Sequence, residues 1–471
     1  MFYRIVFCGL AFLVTVSTAL AQQGPTTLAQ RGPTIVNARF VTFKTNLPLN
    51  DELKSLPLLL DFVLVKQAEV LIPSMTHRRM VFQKLVRERM TAILLDDKLP
   101  VPAAIQREMG PSATNANVAG VALPKKYITH TQKAWENTYS TLLHEQTHAL
   151  MKFVYTASGP SWYEESLAEC FSNFKLTENK KGIEPRTVLQ MPVRDEQAGR
   201  IYYLGRVTSF QELLKRKPNL GLDDIFRAHV TESTAWRPAL DIPPNQLLPL
   251  TYSEGYSLVW AFGIWMSNNP KYSKFFYLAS SSVKHKNFTT LFRRALGASL
   301  PAFRQHWLAF AADLELGYDF ERSRIEKVRL RRNKGIYEFD LDSARGWSDS
   351  GISIRAGQTM QIAAQGTFRV AKDPSSEKTL EADADGNVKG SYRGEALGKL
   401  LVVPAPTLKE LTGTGIVSVP NPFLKPQAVG KLGEITAQKD GVLFFRLNDS
   451  PAELHDNEGK VKVFVRLKPK A

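Results

Sequence analysis

The chain has 471 residues, 44% of them hydrophobic, and a formal net charge of +16. That length exceeds one ordinary core, so two or three domains are expected, and the apolar fraction excludes wholesale disorder. The excess of Lys and Arg favours contact with anionic cell-surface polymers. It is spread along the chain except at Val328–Lys334, so no nucleic-acid partner is indicated.

Residues 1–21 read as a targeting segment. Arg4 gives a short positive region, Ile5 to Val16 an apolar run, and Ala19-Leu20-Ala21 a small-x-small cleavage site. The run is too short to span a bilayer as a permanent helix, and no later stretch is long and apolar enough to do so. Cys8 stands at its start, not at its end where a lipoprotein cysteine would lie. Cleavage after Ala21 implies a secreted or periplasmic protein. It removes Arg4, leaving a charge of +15, and Cys8, one of two cysteines, leaving Cys170 alone. No intramolecular disulfide is then possible, and a lone cysteine reads as a small buried hydrophobe.

Residues 22–37 begin rich in Gln, Pro, Thr and Gly and are expected to be a flexible N-terminus. Ala38 to Lys44 alternates as a strand. Asn50 to about Leu71 carries Leu, Val and Phe at helical spacing. Strands are expected at Met90 to Leu95 and Val118 to Leu123. Trp135 to Phe153 is the strongest helix, with Trp135, Tyr139, Leu142, Leu143, Leu150 and Phe153 on one stripe. Further helices are expected at Trp162 to Phe174, Thr251 to Met266, Lys274 to Ser281, Phe288 to Leu296 and Pro301 to Leu314. Beyond residue 322 the texture changes to short alternating segments punctuated by Gly, Pro, Asn and Asp, the pattern of an antiparallel β-sandwich. They are Ile336 to Leu341, Gly351 to Arg355, Met360 to Ala364, Val442 to Leu447 and Lys460 to Leu467. The boundaries drawn are 38–322 for the first domain, 323–335 for a basic linker and 336–471 for the second.

His144-Glu145-Gln146-Thr147-His148 lies in the middle of the strongest helix. Residues four apart share a helix face, so both imidazoles can reach one ion while Glu145 projects beside them. Two surface histidines on a solvated face is the other reading of that spacing. A catalytic zinc site also needs a third protein ligand and a position for water. After His148 comes Trp162-Tyr163-Glu164-Glu165-Ser166-Leu167-Ala168-Glu169. Here the sequence resembles the gluzincin peptidases, which include thermolysin and the aminopeptidase-N-like enzymes and whose second helix carries Trp-x-x-Glu-Gly-x-Ala. The resemblance implies Zn²⁺ as cofactor, Glu165 as third ligand and Glu145 as general base. Ser166 replaces the usual Gly, and Glu164 is the rival ligand, about 100° round the helix. Glu169, one turn on, would receive the N–H of a ligand histidine.

Tyr252-Ser253-Glu254-Gly255 looks like the Tyr-x-x-Gly segment of the aminopeptidase-N-like enzymes. The resemblance implies that Tyr252 donates to the oxyanion, with Tyr256 as the alternative; a packed core tyrosine is the other reading of either. The Gly-x-Met-Glu-Asn segment that anchors a substrate amino terminus in those enzymes is missing. That departure points to an endopeptidase acting on a peptide or protein substrate, laid along the strand near 118–123. The expected fold of 38–322 is accordingly an α+β zincin-type catalytic domain.

The C-terminal segments Trp347–Ile352, Leu447-Asn448-Asp449-Ser450-Pro451 and Asp456-Asn457-Glu458-Gly459 resemble calcium-dependent galactophilic bacterial lectins. The resemblance implies an all-β jelly-roll or β-sandwich that binds Ca²⁺ through Asp449, Asp456 and Asn457. Glu453 and Val370 would lie near the carbonyl positions, and glycans or the cell surface would be the partner. A polar turn between two strands would use the same residue types. The stretch Asp373 to Gly394 departs from the compact lectin loop. The competing reading of the whole chain is a non-catalytic carbohydrate-binding or envelope-structural protein with a vestigial peptidase domain.

Overall fold

A computed structural model describes residues 32–99, 102–110, 119–133, 135–157, 159–172, 175–176, 183–184, 204–228, 247–372, 379–412 and 419–468. The expected targeting segment, residues 22–31, Val118, Phe174 and 373–378 lie outside them. The chain forms two compact units, residues 1–158 with 174–188 and residues 159–173 with 189–471. Broadly, an α+β N-terminal region is followed by a β-rich C-terminal one.

The first unit is built on a five-stranded mixed sheet. Its strands are β1 (Thr34–Asn37), β2 (Val41–Thr45), β3 (Met90–Leu95), β4 (Gly120–Leu123) and β5 (Lys126–His130). Their spatial order is β1-β2-β3-β5-β4. β2, β3 and β5 run parallel, while β1 and β4 pair antiparallel at the two edges. β3 is buried on both faces, which explains its apolar run, broken only by Thr91. The helices are α1 (Asp51–Leu71), α2 (Met75–Arg87), α3 (Ala103–Met109) and α4 (Trp135–Tyr155). α1 starts at Asn50, whose side chain accepts from Leu53 N at 2.8 Å, and Asp51 and Glu52 sit at the positive helix end. The sequence pattern did not single out α2 or β5. α2 buries only Val81 and Leu85, too few to show a stripe. β5 is short and polar at both ends, although Tyr127, Ile128 and Thr129 are buried.

The second unit opens with α5 (Ser161–Phe171). The two-residue strands β6 (Lys175–Leu176) and β7 (Ile183–Glu184), which belong to the first unit, come next in the chain. Then follow α6 (Leu204–Arg216), α7 (Leu222–Phe226), α8 (Tyr252–Asn268), α9 (Ser273–Leu278), α10 (Phe288–Leu296) and α11 (Leu300–Asp313). Trp162, Phe226, Phe262, Phe288 and Phe292 stack edge-on or tilted into one aromatic core. α8 begins with a reciprocal cap: Glu254 Oε2 accepts from Thr251 N at 2.7 Å while Thr251 Oγ1 accepts from Glu254 N.

The C-terminal strands are β8 (Glu326–Lys327), β9 (Arg331–Asn333), β10 (Ile336–Asp342), β11 (Ser348–Ile354), β12 (Thr359–Gln365), β13 (Thr367–Lys372) and β14 (Thr379–Asp383). They continue as β15 (Asn387–Tyr392), β16 (Glu395–Leu397), β17 (Leu400–Ala405), β18 (Gln427–Ala428), β19 (Leu432–Thr436), β20 (Gly441–Leu447) and β21 (Lys460–Leu467). Two five-stranded sheets, β19-β12-β21-β10-β9 and β18-β17-β20-β11-β8, share a core that includes Phe339, Ile362, Val402, Phe445 and Val463. That is the arrangement of a β-sandwich. β20 is buried on both faces: Leu443 and Phe445 join the sandwich core, while Phe444 packs with Leu308, Ala309 and Ala312 of α11. On that outer face Arg446 is paired with Asp313 at 2.6 Å, both buried. The helical region and the sandwich therefore share a second core.

Candidate metal centre

In the first unit the roll of α4 is fixed by the polar residues between the histidines. Gln146 accepts from Tyr127 OH (2.8 Å) and donates to Leu60 O (2.9 Å). Thr147 accepts from Gln67 Nε2 (2.9 Å), and all four side chains are buried. A buried network with its partners in place holds one orientation. It turns Gln146 and Thr147 into the core and leaves the other face to His144, Glu145 and His148. The two imidazoles converge, with Nε2 to Nε2 at 3.1 Å. Glu145 packs against the edge strand: a Cβ on Gly120 would stand 2.6 Å from its Cγ and Oε1. Only glycine leaves that space.

In the second unit α5 is anchored by its first turn. Trp162 Nε1 donates to Thr289 Oγ1 (2.9 Å) and Tyr163 OH to Phe276 O (2.7 Å). Ser166 is accommodated on α5 because its hydroxyl donates to Val259 O of α8 at 2.8 Å. Gly263 makes that approach possible, since a Cβ there would be 2.5 Å from Ser166 O. These anchors bury Glu165 and leave Glu164 partly exposed. Glu169 is gripped by a bidentate fork from Arg206, with Nε and Nη2 each at 3.0 Å. The same guanidinium lies 4.9 Å over the Tyr256 ring. Sequence reading passed over Arg206; it lies on a separate helix at no motif spacing, so nothing linked it to Glu169.

Tyr256 is buried on α8, and burial, then the nearby Glu165 carboxylate, push its phenol well above the usual range. Tyr252, one turn earlier, is 53% exposed and packs at a tilt against Tyr256, with ring centroids 4.6 Å apart. Glu254 of the same motif serves as the helix cap. Cys170 is buried, its thiol pushed up to about 12 by burial, as an inert core residue would be.

His144, His148 and Glu165 each offer a ligand atom, and these atoms lie within 4.8 Å of one another in buried surroundings. Among the described residues no other set of three His, Cys, Asp or Glu gathers this way. The group could bind a metal ion. Two ligand nitrogens on a tetrahedral zinc, each about 2.0–2.1 Å from it, stand about 3.3 Å apart, close to the observed nitrogen separation. Two imidazoles and one carboxylate also leave a fourth position open, the donor set of a catalytic zinc.

At the closing loop of the sandwich, Asp449 and Asn457 are brought together. Asp449 Oδ2 accepts from Asn457 Nδ2 and Oδ1 from Ser450 N, both at 2.7 Å. Arg446 donates to the Asp449 carbonyl. Burial pushes the Asp449 carboxyl up to about 6. Asn457 Oδ1 is buried with no hydrogen-bond partner among the described residues. Asp456, next in the loop, is half-buried and its carbonyl accepts from Arg369 Nε at 3.0 Å. Val370 is buried on β13, and Glu453 is exposed.

No family model matches the chain, and no curated protein does. Solved structures give loose likenesses. One is to a chain described as "EclA N-terminal domain; PllA-like lectin", at 16% identity and TM-score 0.21, covering 29% of this chain and 100% of that one. Another is to an IMPa metallopeptidase in complex with T-antigen, at 10% identity and TM-score 0.15, covering 80% and 37%. A third is to the IMPa metallopeptidase from Pseudomonas aeruginosa, at 10% identity and TM-score 0.16, covering 92% and 47%. The chain thus spans less than half the length of either metallopeptidase chain. At these TM-scores the likenesses define neither the fold nor the site.

Proposed function

We propose that this protein is an exported zinc-dependent endopeptidase, with His144, His148 and Glu165 holding the metal and Glu145 acting as general base. The observation that carries the reading is the buried convergence of three ligand atoms on one spot, with Glu145 in the same helical turn as the histidines. A zinc ion held there would supply a Lewis acid that polarises a scissile carbonyl and lowers the pKa of water to ~7. Glu145 takes the proton of the attacking water and passes it to the leaving amine. Gly120 keeps that carboxylate against β4, whose outer side forms no strand pair among the described residues. An extended peptide adding to that edge would bring its carbonyls alongside Glu145. Tyr252 is the phenol a substrate can reach, and Tyr256 behind it, its proton firmly held, supports it. A fixed donor aimed at the oxyanion is worth ~3 kcal/mol of barrier. Arg206 steadies Glu169, which in this reading orients a ligand histidine. The catalytic part is assigned to 38–322 and the glycan- or surface-binding part to 336–471.

Hydrolysis of a mixed, partly unfolded protein substrate tests this. Cleavage should stop on treatment with a chelator and return with added Zn²⁺; cleavage indifferent to chelation would refute the proposal. Gly120→Ala should keep the metal but push Glu145 aside, lowering turnover on the order of 10²-fold, as a displacement of about 1 Å can. Steady-state kinetics beside metal analysis separates that outcome from simple loss of the site.

For the sandwich we propose calcium-dependent attachment to glycans, with Asp449, Asp456 and Asn457 as oxygen ligands. The buried pair Asp449–Asn457 and the unsatisfied Asn457 Oδ1 support it, because a hard cation would use both oxygens. The full-length chain should melt higher in proportion to the logarithm of free calcium. Asp449→Ala should abolish the response, and Mg²⁺ should substitute poorly because it demands tight octahedral geometry. A melting temperature indifferent to calcium would reduce the loop to a turn.

A further inference from the structure

α2 is an unusual helix for a soluble surface. Its sequence, Met75–Arg87, contains Arg78, Arg79, Lys84 and Arg87 and no carboxylate. Three apolar side chains on it are turned to solvent: Met75 is 78% exposed, Met80 56% and Val86 47%. At 100° per residue, Met75, Val86, Arg79, Arg87 and Met80 fall within one outward face, opposite the buried Val81 and Leu85. Along one flank of the helix runs an open groove of about 500 Å³. Phe40 and Phe82 line it, with ring centroids 5.0 Å apart, and the guanidinium groups of Arg39, Arg78 and Arg79 rim it.

None of these three arginines makes an ion pair among the described residues. Glu69, the one carboxylate lining the groove, is paired with Lys66 at 2.9 Å, and only its backbone carbonyl accepts from Arg78. Asp61 lies nearby, but its oxygens accept the backbone N–H groups of Arg39 and Phe40. The groove is therefore a concentration of positive charge over an apolar floor.

We infer that this face of α2, with its groove, docks on an anionic phospholipid surface. Phosphate groups pair with Arg39, Arg78 and Arg79, and Met75, Met80 and Val86 enter the boundary between headgroups and acyl chains. The charge is complementary to such a surface, and basic residues beside apolar ones on one helix face are what interfacial helices carry. An acidic polymer or peptide could pair with the guanidinium groups, but it would gain little from three exposed apolar side chains. Those side chains decide for lipid. The inference is independent of the peptidase reading.

Sedimentation of the full-length protein with vesicles tests it. The protein should bind vesicles containing about 30% phosphatidylglycerol, release them as salt rises, and ignore vesicles of phosphatidylcholine alone. Arg39→Gln with Arg79→Gln should weaken binding roughly thirtyfold, on the order of fivefold for each charge. Met75→Ser with Val86→Ser should also weaken it, with melting temperature unchanged. Arg331→Gln with Arg332→Gln, in the other basic stretch, should leave it as it was. Equal binding to both kinds of vesicle, or to neither, overturns the inference. So does full binding by either α2 variant, or loss of binding in the 331/332 variant. If the Met75/Val86 variant binds like wild type while soluble polyglutamate competes, the face takes polyanions and not lipid.

Discussion

Replacing Glu145 by Gln should leave the fold and the metal in place while turnover falls by about 10²–10⁴, the usual cost of removing a general base. The substitution is nearly isosteric, so the space against Gly120 is filled as before and the edge strand is undisturbed. Nor does it touch the network that sets the roll of α4, which runs through Gln146, Thr147, Gln67 and Tyr127. What changes is that an amide cannot accept the water's proton. The pairing of intact metal with lost turnover is the signature; activity within about tenfold of wild type would remove Glu145 from the mechanism.

His148→Ala should have the larger effect, because it removes a ligand. Two remaining protein ligands do not make a catalytic zinc site, so stoichiometric metal should be lost together with all metal-dependent hydrolysis. The stabilisation that a metal gives the native state goes with it, so the wild type alone should melt higher as zinc is added. Adding Zn²⁺ across a melting series on both proteins measures this. A zinc response in the His148→Ala protein equal to that of wild type would contradict the assignment.

How much of this was legible in the sequence differs from element to element. α4, α8, α10 and α11 show in the spacing of large apolar side chains, and β3 in an apolar run broken only by Thr91. The paired histidines were legible because a helix converts a spacing of four into one face. Glu165 could not be derived that way. It lies on another helix, and only the resemblance around Trp162 singled it out. Arg206 was illegible for the same reason, with no motif to help. α2 shows no apolar stripe because it buries only Val81 and Leu85 while Met75, Met80 and Val86 are exposed; the feature that hides it as a core helix is the one that marks it as a docking surface. α11 is apolar nearly all round, which signals burial on more than one side. The sequence alone could not say that its second face meets Trp347, Phe423 and Phe444. That shared core is why the calcium experiment uses the whole chain.

The proposed chemistry requires one metal ion held by His144, His148 and Glu165. Elemental analysis of the purified wild-type protein, beside Glu165→Ala and Glu164→Ala, tests it most directly. Glu165 is buried with its ligand oxygen beside the imidazole nitrogens, whereas Glu164 is partly exposed. One zinc per chain is expected in the wild type and in Glu164→Ala, and no stoichiometric zinc in Glu165→Ala. Full zinc in Glu165→Ala, or none in the wild type after incubation with Zn²⁺, would contradict it.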